Sequence, residues 1–170
     1  MEFKDVIANR YSCKKYADRP LEGEKVTAIL EAGRLAPTAK NLQEQHVYVL
    51  RSPEALEKFD GLTRCRYGAP TVLLVAFDST NVFTYPGGER DSGIEDASIV
   101  ATHMILAAAD AGVDSCWVNL FDPARAAEAF GLPKNEEVLC AIDLGYAAEG
   151  VGPLPNHGSR KDLGQTVTYL

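Results

Sequence analysis

The chain has 170 residues, enough for one domain with a sizeable core, because roughly two thirds of the unfolded surface is buried at this size. Its 17 basic and 24 acidic residues leave a net charge of −7 and no basic run, which excludes a nucleic acid backbone or an anionic membrane surface as partner. Cys13, Cys65, Cys116 and Cys140 form no Cys-x-x-Cys pair and have no His at ligand spacing, so they read as free thiols and no metal is expected. Met1 to Asp5 carries charge where a signal peptide needs an apolar core, and no apolar stretch approaches about 20 residues, so the expected location is cytoplasmic.

Phe3, Val6, Ile7 and Arg10 recur at helical spacing and predict a short first helix. Val26, Ile29, Leu30 and Gly33 form the stripe of a second, amphipathic helix, with Glu22 and Glu24 near its positive N-terminal end. Pro37 stops it, because the residue before a proline is pushed out of the α region. His46 to Arg51 reads as a strand, and Ser52-Pro53 as the cap and first position of the next helix. Thr71 to Phe77 is a continuous apolar run, as expected of a strand covered on both faces at the centre of a sheet. Asn81 to Asp91, with Pro86-Gly87-Gly88, reads as a loop. Ile94 to Ala111 is the longest helical pattern and is apolar nearly all round, which predicts a buried helix. A chain of this size rarely encloses one helix completely, so part of that surface, or the helix at Val26 to Ala36, is expected to pack on a second subunit. Ser115 to Leu120 predicts a strand, Asp122-Pro123 starts a helix that Gly131 closes, and Val138 to Leu144 predicts another strand. Gly150 to Gly158 is a Pro- and Gly-rich arm, followed by Arg160-Lys161 and the strand-like Thr166 to Tyr169. No repeat interrupts this single domain, residues 1–170.

Chemistry concentrates in Arg10-Tyr11-Ser12-Cys13-Lys14. A guanidinium offers a planar fork to phosphate oxygens, the hydroxyl donates a hydrogen bond, and the ammonium is a mobile point charge that reaches a second anionic centre. Against an acidic background, these cations and Arg160 point to a small anionic ligand. Pro37-Thr38-Ala39-Lys40-Asn41-Leu42-Gln43 follows about one helix later. Asp96-Ala97-Ser98-Ile99 leading into Leu106-Ala107-Ala108, then Gly112 to Trp117, Leu144-Gly145-Tyr146-Ala147 and the terminal Arg160 complete an ordered series. In motif identity and order the chain resembles, nearly end to end, the nitroreductase family of flavin-dependent oxidoreductases, whose members open with Arg-x-Ser-x-Arg/Lys and continue with Pro-Ser-x-x-Asn-x-Gln-Pro.

The resemblance implies an α+β fold with a small, mostly antiparallel central sheet flanked by helices. It implies an obligate homodimer with an exchanged C-terminal arm and FMN bound at the subunit interface. Arg10, Ser12 and Arg160 take the position of the phosphate set, with Tyr11 beside them and Lys161 or His157 as a helper. Lys14 takes the place beside the pyrimidine edge of the flavin, where a cation favours the anionic reduced ring. Pro37, Thr38, Ala39 and Asn41 correspond to the loop that meets the ring from the other subunit, and Trp117 and Asn119 lie near the ring. No catalytic side chain is expected, because the cofactor carries the chemistry. The implied activity is NAD(P)H-dependent reduction of a small-molecule acceptor, a nitroaromatic, quinone or related electrophile, in ping-pong fashion. An FMN-binding or redox-sensing protein without turnover, and a same-fold enzyme of different flavin chemistry, remain alternatives. Glu44 and Gln45 depart from the proline and aromatic residue that usually follow Asn-x-Gln, Thr38 stands for Ser, and Asn119-Leu120 replaces the Glu-Gly or Gly-Gly of many relatives.

Overall fold

The computed structural model describes residues 2–170. Its elements in chain order are α1 (Phe3–Asn9), α2 (Gly23–Arg34), β1 (Gln45–Leu50), α3 (Pro53–Asp60), β2 (Thr71–Asp78), α4 (Gly93–Asp110), β3 (Asp114–Val118), α5 (Pro123–Phe130) and β4 (Glu136–Gly145). Four strands form one sheet in the order β1-β2-β4-β3, and every neighbouring pair is antiparallel. This is the α+β architecture expected from the sequence.

The apolar run of β2 is buried from Thr71 to Phe77, and its alternate side chains serve two cores. Leu73, Val75 and Phe77 join Cys140, Ile142 and Leu144 of β4 against Val26 and Ile29 of α2 and Ala97, Val100, Ala101 and Met104 of α4. Val72, Leu74 and Ala76 join Cys116, Val118 and Ala141 against Phe59 of α3 and partly buried Ala127 and Phe130 of α5. Local chemistry sets the helix ends. Ser52 Oγ accepts the Ala55 N–H at 3.2 Å, Asp122 Oδ1 accepts from Ala124 at 2.9 Å, and Gly131 closes α5 with φ 67°. Gly93 opens α4 against Phe77: a Cβ there would lie 2.3 Å from the ring. Gly93→Ala is therefore expected to destabilise the fold by about 2 kcal/mol through overpacking. Urea unfolding checks it, and an unchanged midpoint would mean the ring swings aside.

As expected for a helix apolar nearly all round in a chain of this size, α4 is not completely enclosed: Ala97, Val100, Ala101, Met104 and Ala108 are buried, but Ile94 and Ile99 face outward, as do Phe3 and Ile7 of α1. Small alanines let α4 sit close to the sheet on one face, while Ile94 and Ile99 stay uncovered by the described residues. Among the described residues, strand-like Thr166 to Tyr169 pairs with no strand, and the arm ahead of it forms a short 3-10 turn at Leu163–Gln165. The β3 edge of the sheet is occupied, because Ser12 bridges Ser115 and the Cys13 N–H donates to the Ser115 carbonyl at 2.9 Å, whereas the β1 edge pairs with no strand among the described residues. The 81–91 loop is tightened by a Thr84–Asp91 bridge. No helix among the described residues is long and apolar enough to cross a membrane.

Candidate active site

The segment after α1 cannot continue the helix and runs extended along β3, with Arg10 at φ −61° and ψ 127°. Its pairing to Ser115 fixes where the cations emerge. Arg10 and Tyr11 line a small cavity of about 150 Å³ with Asn9, Gly112, Asp114 and Ser115. Lys14 emerges four residues later, at most about 14 Å along the chain. It lines a larger cavity of about 410 Å³ with Trp117 and Asn119 at the end of β3 and with Arg64, Cys65, Tyr67 and Cys116. The structure thus brings Lys14, Trp117 and Asn119 together and places Arg10 and Tyr11 in a separate cavity, while Ser12 lines neither and pairs with Ser115.

Lys14 Nζ lies 5.5 Å from the centre of the Tyr67 ring, which holds the ammonium by cation–π attraction. The Trp117 indole N–H donates to Asn119 Oδ1 at 2.7 Å, so the exposed amide is held at the cavity rim. Trp117 is half-buried; it packs on the core and lines the cavity. Beneath the rim, a hydrogen bond from Tyr67 holds the Cys65 thiol below its usual value, helped by Arg64 and Lys14, and the same bond with burial pushes Tyr67 up to about 12. Cys116 moves the other way, to about 11, because it is buried and near Asp143. All four cysteines are unpaired and buried.

Asp143 itself is fully buried, flanked across the sheet by Cys116 and Val72, and neither carboxyl oxygen has a hydrogen-bond partner among the described residues. Burial raises it to about 9, despite Arg66. Arg66 spends its guanidinium on Asp60, at 2.6 and 2.7 Å, and on the Ala69 carbonyl.

Pro37, Thr38, Ala39 and Asn41 do not line the Lys14 cavity. Their loop lies against the start of α4, where both oxygens of Asp96 accept the Ala39 N–H at 3.0 Å. Thr38 Oγ1 accepts the Gln43 N–H at 3.0 Å. Lys40, Asn41 and Gln43 take φ of 52°, 56° and 54°, left-handed conformations on either side of right-handed Leu42 that non-glycine residues adopt only when held there. Arg160 and Lys161 sit on the exposed arm, where Arg160 donates to the His157 and Ser159 carbonyls at 2.5 and 2.7 Å. His157 meets the Tyr11 ring edge-on at 6.4 Å, which returns the arm to the Arg10 segment.

The family model of the nitroreductase family matches residues 7–66 and 64–146. The chain belongs to the nitroreductase family. This nitroreductase-family chain is similar over its whole length to a nitroreductase family protein from Clostridium difficile, with 35% identity, a TM-score of 0.93 and 99% and 98% of the two chains covered. It is 30% identical over 161 residues to a Methanothermobacter thermautotrophicus protein named as an NADH dehydrogenase/NAD(P)H nitroreductase, covering 89% of this chain and 81% of the other. A protein from Desulfovibrio desulfuricans classed as a nitroreductase and solved in complex with FMN has 25% identity and a TM-score of 0.82, with 100% and 97% covered.

Residues 61–70 were missed by sequence reasoning, and they supply much of the Lys14 cavity wall. Their signal was Arg64-Cys65-Arg66-Tyr67-Gly68 directly before the central strand, with Tyr67 and Gly68 both at positive φ. Asp143 also escaped notice; a lone carboxylate in the run Cys140 to Leu144 was its signal.

Proposed function

We propose that the chain works as a homodimeric, FMN-dependent oxidoreductase that takes hydride from NADH or NADPH and reduces a nitroaromatic, quinone or related electrophile. The observation that carries this reading is the pair of separate cavities along β3, one fronted by Arg10 and the other by Lys14, Arg64 and Asn119, in a member of the nitroreductase family. The donor set fits FMN. Arg10, with Ser12 alongside, suits a terminal phosphate, and the cations and amide around the larger cavity suit the oxygen- and nitrogen-bearing edge of a ring. When bound, FMN supplies the hydride-accepting and hydride-donating centre. Lys14, held over Tyr67, would offer positive charge to the anionic reduced ring of a bound FMN, and Trp117 fixes Asn119 at the cavity rim.

The second subunit enters because Pro37 to Asn41 lies outside the Lys14 cavity of its own chain. Outward Phe3, Ile7, Ile94 and Ile99 also form apolar surface that a partner would cover. Arg160, on the arm that packs against Tyr11, joins Arg10 in this reading as the phosphate partner, with Lys161 beside it.

Purified protein is expected to bind one FMN per chain, to be bleached by NADH or NADPH, and to be reoxidised by a quinone with parallel double-reciprocal lines. Arg10→Ala and Arg160→Ala should each weaken FMN binding by about 1.5–3 kcal/mol, the usual worth of a lost charge-assisted hydrogen bond. Unchanged affinity in both variants places the phosphate elsewhere. A yellow protein that no pyridine nucleotide reduces would instead be a flavin carrier or sensor.

A further inference from the structure

Behind the Pro37 to Asn41 loop lies a buried acidic pair that the chemistry above does not use. Glu44 and Asp96 are each only 4% exposed, and neighbouring Ser92 is 1% exposed. The Glu44 backbone is fixed because its carbonyl accepts the Asp78 N–H at 2.9 Å, at the end of the central strand. Ser92 Oγ donates to Glu44 Oε1 at 3.4 Å and accepts the Phe83 N–H at 3.1 Å. Glu44 Oε2 has no hydrogen-bond partner among the described residues, and after burial the neighbouring Asp96 carboxyl is the influence that raises Glu44, against the Ser92 hydroxyl.

The charged groups around this pair are engaged elsewhere. Lys40, on the loop itself, lies over the Phe83 ring at 4.7 Å. From the 78–91 segment, Asp78 binds Thr80, Asp91 accepts the Gly93 N–H, and Arg90 pairs with Glu95, which also accepts from the Tyr85 hydroxyl. Arg34 of α2 pairs with Glu31, and His46 of β1 pairs with Glu136. None of the ion pairs among the described residues includes Glu44 or Asp96. Two neighbouring buried carboxyls without a cation disfavour double ionisation, so Glu44 keeps its proton to a higher pH than usual. Burial and then the neighbouring Asp96 raise Glu44 from its ordinary 4.5 to about 7.

We propose that Glu44, Ser92 and Asp96 are positioning residues of the flavin site, in which a proton held between Glu44 and Asp96 keeps Asp96 on the Ala39 N–H and the loop in its ligand-facing shape. This rests on the reading that Pro37 to Asn41 faces FMN. Lys40, Asn41 and Gln43 hold left-handed backbone conformations that relax without an anchor, and the Asp96–Ala39 contact ties that loop to α4. When the proton leaves, two buried carboxylates repel and one must turn away, so the anchor loosens. Because the folded-state value is raised, the anchor is complete at low pH and is lost as pH rises through about 7.

The test compares FMN dissociation constants of the wild-type protein and Glu44→Gln from pH 5.5 to 8.5, together with the pH dependence of the Ala39 amide resonance in both apoproteins. The substituted amide is isosteric with the carboxyl, stays neutral, and donates to Asp96 at every pH. Titration of the flavin phosphate is common to both proteins, so their ratio isolates the Glu44 proton. Wild-type affinity is expected to fall at least fivefold more than that of the variant, and the wild-type Ala39 resonance to titrate near pH 7 while the variant's stays flat. An Ala39 resonance that does not titrate in the wild type overturns the shared proton wherever FMN binds. A titrating Ala39 with parallel affinity profiles instead overturns the loop's role at the flavin, and with it the proposal.

Discussion

Asp143→Asn is expected to stabilise the protein by on the order of 3 kcal/mol at pH 8 and to leave it nearly unchanged at pH 4. Asp143 has no exposed surface and no hydrogen-bond partner for either oxygen among the described residues, and burial raises it from 3.8 to about 9. The folded chain therefore holds a proton that the unfolded chain releases above about pH 4. With the folded-state value raised, stability is greatest below the ordinary carboxyl range and falls as pH rises toward 9. Each pH unit in that window costs at most about 1.4 kcal/mol, and local relaxation takes back roughly half of the total. An amide has the same shape and no proton to lose, so the variant lacks that slope. Urea midpoints at pH 4 and pH 8 measure it directly, and an equal effect at both would mean Asp143 is not protonated in the folded state. The same substitution should pull the Cys116 thiol down from about 11, because after burial Asp143 is the largest influence raising it. Cys116 lines the Lys14 cavity and faces Asp143 across the sheet, so the cavity floor is an electrostatically tense part of the fold.

What was legible in the sequence was whatever local chemistry decides. β2 announced itself because a central strand must be apolar on both faces, and α3 and α5 because Ser52-Pro53, Asp122-Pro123 and Gly131 satisfy helix ends with residues that do little else. The Arg10, Ser12 and Lys14 grip was legible for the same reason, since phosphate chemistry needs those groups close together in the chain. Arg64, Cys65 and Tyr67 reach the cavity only because Tyr67 and Gly68 turn the backbone through positive φ, a choice made by packing against Cys13 and Tyr16 rather than by the residues themselves. Asp143 was hidden by a reasonable rule, that carboxylates face water, which this strand breaks. That α4 would leave part of its surface uncovered was legible from its near-uniform apolarity, but composition gives no account of which residues, here Ile94 and Ile99, would face outward. Asp96 was read as a motif residue, yet its task of holding the Ala39 amide emerges only when residues 57 positions apart meet.

Removing Thr166 to Leu170 should convert an FMN-loaded dimer into a flavin-free monomer at nanomolar concentration. In the single chain these residues have little to pack on: Tyr169 is 89% exposed, Val167 and Leu170 are exposed as well, and the segment forms no strand. Such apolar side chains on a Pro- and Gly-rich arm gain stability only on another surface. β1 is the edge of the sheet whose outer side pairs with no strand among the described residues, and an extended segment can add to it by backbone hydrogen bonds. The outward faces of α1 and α4 supply further apolar area, so an obligate interface above about 2,000 Å² is expected. If Pro37 to Asn41 completes the partner's flavin site, dimerisation and FMN binding are linked, and loss of one must lower the other. The truncation keeps Arg160, so a lost phosphate contact cannot account for lost flavin. Sedimentation with absorbance at the flavin band reads both quantities in one run. A truncated chain that stays dimeric and yellow would rule out the exchanged arm, and an intact chain that sediments as a yellow monomer would rule out the shared site, because each Lys14 cavity would then hold FMN without the partner's loop.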